Sequence, residues 1–235
     1  MKNKKITSII EAYEYLMKGI DKTAKTGVDG RAYGGIIRAS KGKMVESIVA
    51  EIVKLAWEEL KQKPKRLTID RKKLKLPIKK DYIERIKNPE VKQYILKNID
   101  NYKFPLGVDL HIFIDKEVVL AIECKAYTEN AMIKRILVDF SLFHEIFPKA
   151  NFILFQLESQ LGGDYSELKN ITFGSPSTHT LLSYFDIDLN IITLLKGERN
   201  VGKPIHKKQY YKPLKREALW QVVECVKNTL RKYAN

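Results

Sequence analysis

Residues 107–127 read GVDLHIFIDKEVVLAIECKAY. Two runs rich in Ile, Val, Leu and Phe flank Asp115, Lys116 and Glu117, a spacing that predicts a β-hairpin. Side chains alternate across a strand and opposed residues share a face, so the register decides which groups meet. A turn centred on Lys116 sets Asp109 opposite Glu123, and Lys125 joins them on the same face at the open end. One face then reads Leu110, Ile112, Ile114, Val118, Leu120, Ile122 and Cys124 without a polar break, which predicts core. The other is apolar near the turn, through Phe113, Val119 and Ala121, and ends in Asp109, Glu123 and Lys125.

Two carboxylates brought together on a buried sheet repel unless a cation sits between them. Mg²⁺ suits them, because it takes a few carboxylates and completes its shell with waters and substrate phosphate oxygens. A lysine beside them is placed to position or help deprotonate an attacking water and to stabilise negative charge developing at phosphorus. The pattern outlines phosphodiester hydrolysis. His111 shares this face and reads as a structural hydrogen-bonding residue, while His144, His179 and His206 are scattered without HxxxH spacing. Cys124 and Cys225 show no CxxC spacing, which argues against a disulfide framework and a zinc site.

Helical periodicity surrounds the hairpin. Val45, Ile48, Val49, Ile52, Ala56 and Leu60 predict a helix over 41–62 capped by Ser40. A second is expected over 129–147, capped by Thr128 and stopped by Pro148, with a strand at 151–156 after it. Asp109, then Glu123-x-Lys125 on the next strand, resembles the motif of the PD-(D/E)XK nuclease superfamily, with Val108 in place of the motif's proline. The resemblance covers about residues 40–160 and implies a restriction-endonuclease-like core, a central mixed β-sheet flanked by helices in the α/β (α+β) class. It also implies metal binding by Asp109 and Glu123, catalysis by both with Lys125, and a further metal contact from Glu46. With no helicase or Walker sequence, the chain looks most like a type II restriction endonuclease. Such an enzyme is a homodimer that cuts double-stranded DNA with Mg²⁺, or Mn²⁺ in its place, leaving 5′-phosphate ends. It acts in the cytoplasm of a prokaryotic cell beside a DNA methyltransferase of the same specificity. A structure-selective repair nuclease and a non-catalytic nucleic-acid-binding protein are the other two readings.

The charge fits a polyanionic partner. The 235 residues carry 43 Lys and Arg against 28 Asp and Glu, a net +15, and the 44% hydrophobic content is enough for a core. Residues 1–100 hold 25 basic and 13 acidic side chains, 101–200 hold 9 and 13, and 201–235 hold 9 and 2. Basic ends therefore flank an acidic centre. Ten of the twenty residues at 61–80 are Lys or Arg, and alternating Leu67, Ile69, Leu74 and Leu76 predict an edge strand or hairpin with basic teeth. From this run and the basic loop after residue 195, Lys63, Lys65, Arg66, Arg71, Lys72, Lys73, Arg199, Lys203, Lys207 and Lys208 are candidates for DNA contact. The loop 174–180 with Asn200, Gln209, Tyr210 and Tyr211 offers groups of the kind that touch bases or sugars.

Elsewhere the pattern predicts helices over 6–18, behind Ser8, and over 82–98. It also predicts a glycine-rich loop over 21–40, a short segment at 180–185, a strand at 188–195 and a closing helix over 214–233. Gln156, at the end of its strand, is expected to reach toward the site. The N-terminus lacks the apolar core of a signal peptide, and no run is long enough to span a membrane. The whole chain, 1–235, reads as a single nuclease domain whose core at about 40–160 carries N- and C-terminal additions for DNA contact and dimerisation.

Overall fold

A computed structural model describes residues 2–25, 30–166 and 175–234. Helices α1 (Lys2–Lys25) and α2 (Gly30–Glu59) lead into strands β1 (Leu67–Asp70) and β2 (Leu74–Pro77), then α3 (Lys80–Glu84), α4 (Pro89–Lys97) and β3 (Lys103–Leu106). The hairpin β4 (Leu110–Ile114) and β5 (Glu117–Glu129) runs into α5 (Asn130–Ile146), followed by β6 (Asn151–Gln160), α6 (Pro176–Leu182), β7 (Leu189–Thr193) and α7 (Arg216–Arg231). The main sheet has the order β1-β4-β5-β6-β7, antiparallel at its first two junctions and parallel at the last two. It is the expected mixed sheet flanked by helices. Among the described residues, no helix is long and apolar enough to cross a membrane.

Both faces of the sheet are covered. Ile112, Leu120, Ile122, Ile153 and Phe155 pack under α2 and α7, with α1 completing that layer. Ala121, Phe152 and Leu154 pack under α5 through Ile133, Leu137, Phe140 and Phe143. A hairpin shielded on both sides in this way makes every polar group on it costly unless it is paired.

The hairpin corrects one part of the sequence reading. Asp115 and Lys116 both have positive φ, 49° and 74°, and form a two-residue turn that pairs Ile114 with Glu117 and Phe113 with Val118. Beyond a β-bulge the pairing is Ile112 with Leu120 and Leu110 with Ile122, as the sequence predicts. The bulge inserts one residue into β5, so Val119 turns to the α2 side and Val118 to the α5 side, the reverse of the expected faces. Left-handed backbone strains a lysine but not a glycine. Lys116→Gly is therefore expected to raise stability by roughly 0.5–1 kcal/mol. Thermal melting checks this, and a lower melting temperature would count against the turn geometry.

Other boundaries differ for local reasons. Residues 30–40 are the first turns of α2 rather than loop, because Ile36 and Ile37 pack against the core and outweigh the helix cost of glycine, about 1 kcal/mol each. Ser8 and Ser40 accordingly lie inside helices and cap neither, and the Ser8 hydroxyl donates to the Lys4 carbonyl at 3.0 Å. Gly27 and Gly174 lie outside the described residues. The helix expected over 82–98 breaks into α3 and α4, since Pro89 begins a new helix and the Asn88 side chain accepts from the Glu90 and Val91 amides. Thr128 is buried in β5 and does not cap α5. The short helix α6 begins at Pro176, behind a Ser175 cap, instead of at 180. β1 is an edge strand as predicted, but it forms no hairpin with β2, which pairs with β3 in a separate two-stranded sheet. The sequence pattern does not anticipate β3.

Candidate active site

β4 begins at Leu110, whereas β5 continues seven residues past Ile122, held on its other side by parallel β6. The sheet therefore has a gap beside Glu123, Cys124 and Lys125. Asp109 stands at its edge and fills the missing rung with a side chain: its Oδ2 accepts the Cys124 amide at 2.7 Å. The Lys125 ammonium donates to the same Oδ2 at 3.3 Å and to Glu123 Oε1. Asp109, Glu123 and Lys125 thus form one contact group, each with a side chain less than a third exposed.

The electrostatics follow from this crowding. Burial, then the charge of Asp109, raises the pKa of Glu123 despite the opposing lysine. Burial works against the charge on Lys125, but Glu123 and Asp109 together outweigh it and its pKa is raised. Burial followed by the two carboxylates pushes the Cys124 thiol well above its ordinary value, so it is an inert core group.

The group opens into a cleft of about 500 Å³ lined also by Glu46, Arg71, Lys73, Arg135 and Asp139. Glu46 reaches it from α2, where Arg71 Nε lies 3.7 Å from its Oε2. Burial and the nearby Asp109 raise the Glu46 pKa. Among the described residues no three acidic, histidine or cysteine side chains converge as a complete metal cage. Two carboxylates beside an open cleft still fit a hard divalent ion, which keeps several waters and takes further oxygens from a phosphate substrate. A thiolate or imidazole metal finds no matching donors here, since the Cys124 thiol is packed in the core, where burial raises its pKa, and His111 is buried against Phe143 with ring centroids 5.5 Å apart.

The basic candidates divide by position. Asp70 pairs with His111, so Arg71, Lys72 and Lys73 emerge at the end of the sheet where Asp109 lies. Lys63, Lys65 and Arg66 sit at the opposite end, roughly 17 Å away beyond the four residues of β1. Arg66 is engaged there by Asp115 at 2.6 Å, by Gln62 and by the Tyr233 carbonyl. Arg199 begins the loop that also carries Lys203, Lys207 and Lys208, on the β6 and β7 side. Gln156 does not reach the cleft, because it is fully buried and donates to Thr193 at 3.0 Å. Sequence reasoning overlooked Met132, Arg135, Ile136 and Asp139, which line the cleft from α5. Their spacing along one helical stripe was the available signal. Burial raises the Asp139 pKa against the opposing charges of Arg135 and Lys125.

No protein-family model matches the chain, and no solved structure matches it. A curated protein does: the chain is 48% identical over 232 residues to the type II restriction enzyme DdeI of Desulfomicrobium norvegicum, a match spanning 97% of each.

Proposed function

We infer the role of each side chain from one premise: the chain belongs to the type II restriction enzymes. It is a site-specific endodeoxyribonuclease on a restriction-endonuclease-like fold, and enzymes of this kind need a divalent metal. That membership favours sequence-specific cutting over the structure-selective and non-catalytic readings. The observation that carries the assignment of residues is the convergence of Asp109, Glu123 and Lys125 at the gap in the sheet.

In this reading Asp109 and Glu123 hold Mg²⁺, or Mn²⁺ in its place, with Glu46 as a further acidic contact. The ion supplies charge stabilisation for the scissile phosphate and a supply of nucleophilic water. Lys125 hydrogen-bonds the attacking water and faces the negative charge that builds on the phosphoryl oxygens. Water adds to phosphorus in line, the bond from phosphorus to the 3′ oxygen breaks, and that oxygen takes a proton. The products are a 5′-phosphate and a 3′-hydroxyl. Arg71, Lys72 and Lys73 contact phosphates near the cut, and Arg135 lies close enough to add to them. Lys63, Lys65 and Arg66 are too far from the cleft to touch the same few nucleotides.

The single nuclease domain, 1–235, is supported by two clusters packed on opposite faces of one sheet. A homodimer that places one cleft on each strand, a methyltransferase of the same specificity and a cytoplasmic location complete the proposal. The experiment is incubation with phage DNA and Mg²⁺, then sequencing of the fragment ends. Discrete fragments with 5′-phosphates at one recurring sequence are expected. Uncut DNA with both Mg²⁺ and Mn²⁺ would defeat the assignment.

A further inference from the structure

Two residues beyond Lys125 on β5, Tyr127 lines a second pocket, of about 260 Å³, with Arg38 and Lys41 from α2, Glu158 from β6, and Arg199 and His206 from the loop after β7. A groove shared by Arg38 and Tyr127 on one side and by Glu46, Asp109 and Lys125 on the other joins it to the catalytic cleft. The two recesses are therefore parts of one trough along the end of the sheet.

The second pocket is built around cations. Lys41 is only 8% exposed, and among the described residues its ammonium makes no hydrogen bond or ion pair. Burial, helped by the nearby Arg199 and opposed by Glu158, holds its pKa down to about 8. Glu158, 4% exposed, is paired with Lys212 at 3.0 Å, so the one acidic side chain lining the pocket among the described residues is shared among several cations. The Arg199 guanidinium lies 3.6 Å from the centroid of the Tyr127 ring, bonds Gln160, and is anchored by its amide to the Ser159 carbonyl at 2.7 Å. A largely desolvated ammonium that faces a pocket without a direct acidic partner gains from an incoming anion, and an arginine fixed in advance loses little freedom on binding. Together they make a receptor for an anion.

We propose that this pocket seats a backbone phosphate of the bound DNA, roughly two to four nucleotides from the bond cut, with Lys41 and Arg199 as its ligands. The distance follows from the four residue steps along β5 from Glu123 to Tyr127, about 13 Å. A phosphate fits better than a base because Lys41 and Arg199 converge on the pocket and Arg199 already occupies one face of the Tyr127 ring. The proposal rests on the reading of Asp109, Glu123 and Lys125 as the cutting site, which fixes where the trough begins.

The test uses Lys41→Met and a set of duplexes carrying the cut sequence, each with one phosphate replaced by a neutral methylphosphonate. Binding is measured in Ca²⁺. Wild type should lose roughly tenfold in affinity at one phosphate in that window. Lys41→Met should bind the unmodified duplex roughly tenfold more weakly and show no further loss at that position. Its salt slope should be shallower by about 0.9, its cleavage sequence unchanged, and its melting temperature equal or higher. Wild-type affinity in Lys41→Met, or an altered cleavage sequence, would overturn the proposal, the second by making the pocket a base reader. If Lys41→Met melts lower than wild type, Arg199→Gln serves instead and must lose sensitivity at the same phosphate. Persistent cutting by Asp109→Asn would defeat the catalytic assignment while leaving this binding result intact.

Discussion

Replacing Asp109 by asparagine is expected to slow DNA cleavage by at least roughly a thousandfold while leaving DNA affinity within about threefold of wild type. The carboxamide retains an oxygen that can accept the Cys124 amide, now held at 2.7 Å, so the gap in the sheet stays closed. What disappears is the charge on which the proposed role of Asp109 as a ligand for a hard cation depends. Asp109→Ala is a poorer test. It strands the Cys124 amide in a partly buried position, at a cost of about 1–3 kcal/mol, and mixes a folding defect with a catalytic one. Single-turnover cleavage in Mg²⁺ and binding in Ca²⁺ separate the two quantities. Near-normal cutting by the asparagine variant would remove Asp109 from the catalytic group.

The parts of this site that were legible in the sequence are those governed by strand periodicity. Alternation across residues 107–127 is enough to bring Asp109, Glu123 and Lys125 to one end of a hairpin, and helical stripes on either side supply the layers that bury it. The bulge beside Phe113 was not legible: the two-residue turn by itself would set Asp109 opposite Ile122, and the extra residue in β5 restores the register that a turn centred on Lys116 predicts, so the open end reads the same either way. β3 escaped notice because its four residues, Lys103–Leu106, include a proline and take their partner from β2, some thirty positions away. The cation pocket is less legible still. Lys41, Tyr127, Glu158 and Arg199 become neighbours only when β6 joins β5 in parallel and α2 lies across both, and no local pattern encodes that assembly. Charge counting points to a polyanionic partner, whereas only tertiary packing separates Arg66, engaged by Asp115, from Arg71 and Lys73 at the cleft.

Lys125→Met should abolish cutting to a similar degree, and it should also change how the protein responds to metal. Without an ion, the Lys125 ammonium is the cation that offsets Asp109 and Glu123, touching both. Methionine keeps the length and the apolar stem but leaves two carboxylates facing each other in a partly buried site. Breaking a buried ion pair costs about 3–5 kcal/mol, and the partial exposure here reduces that to about 1–3 kcal/mol. In metal-free buffer the variant should therefore melt several degrees below wild type. Added Mg²⁺ should restore most of the difference, since a divalent ion then supplies the missing charge, so the metal-induced rise in melting temperature should be larger in the variant than in wild type. Cleavage should stay low even with the site loaded, because the ion replaces the lysine as a counter-charge but not as the hydrogen-bond donor to water and phosphate. Melting curves with and without Mg²⁺, alongside single-turnover rates, test both halves. A variant that melts like wild type without metal would show that Lys125 is not the charge holding the two carboxylates together. One that cuts normally with metal would show that the lysine has no part in the chemistry.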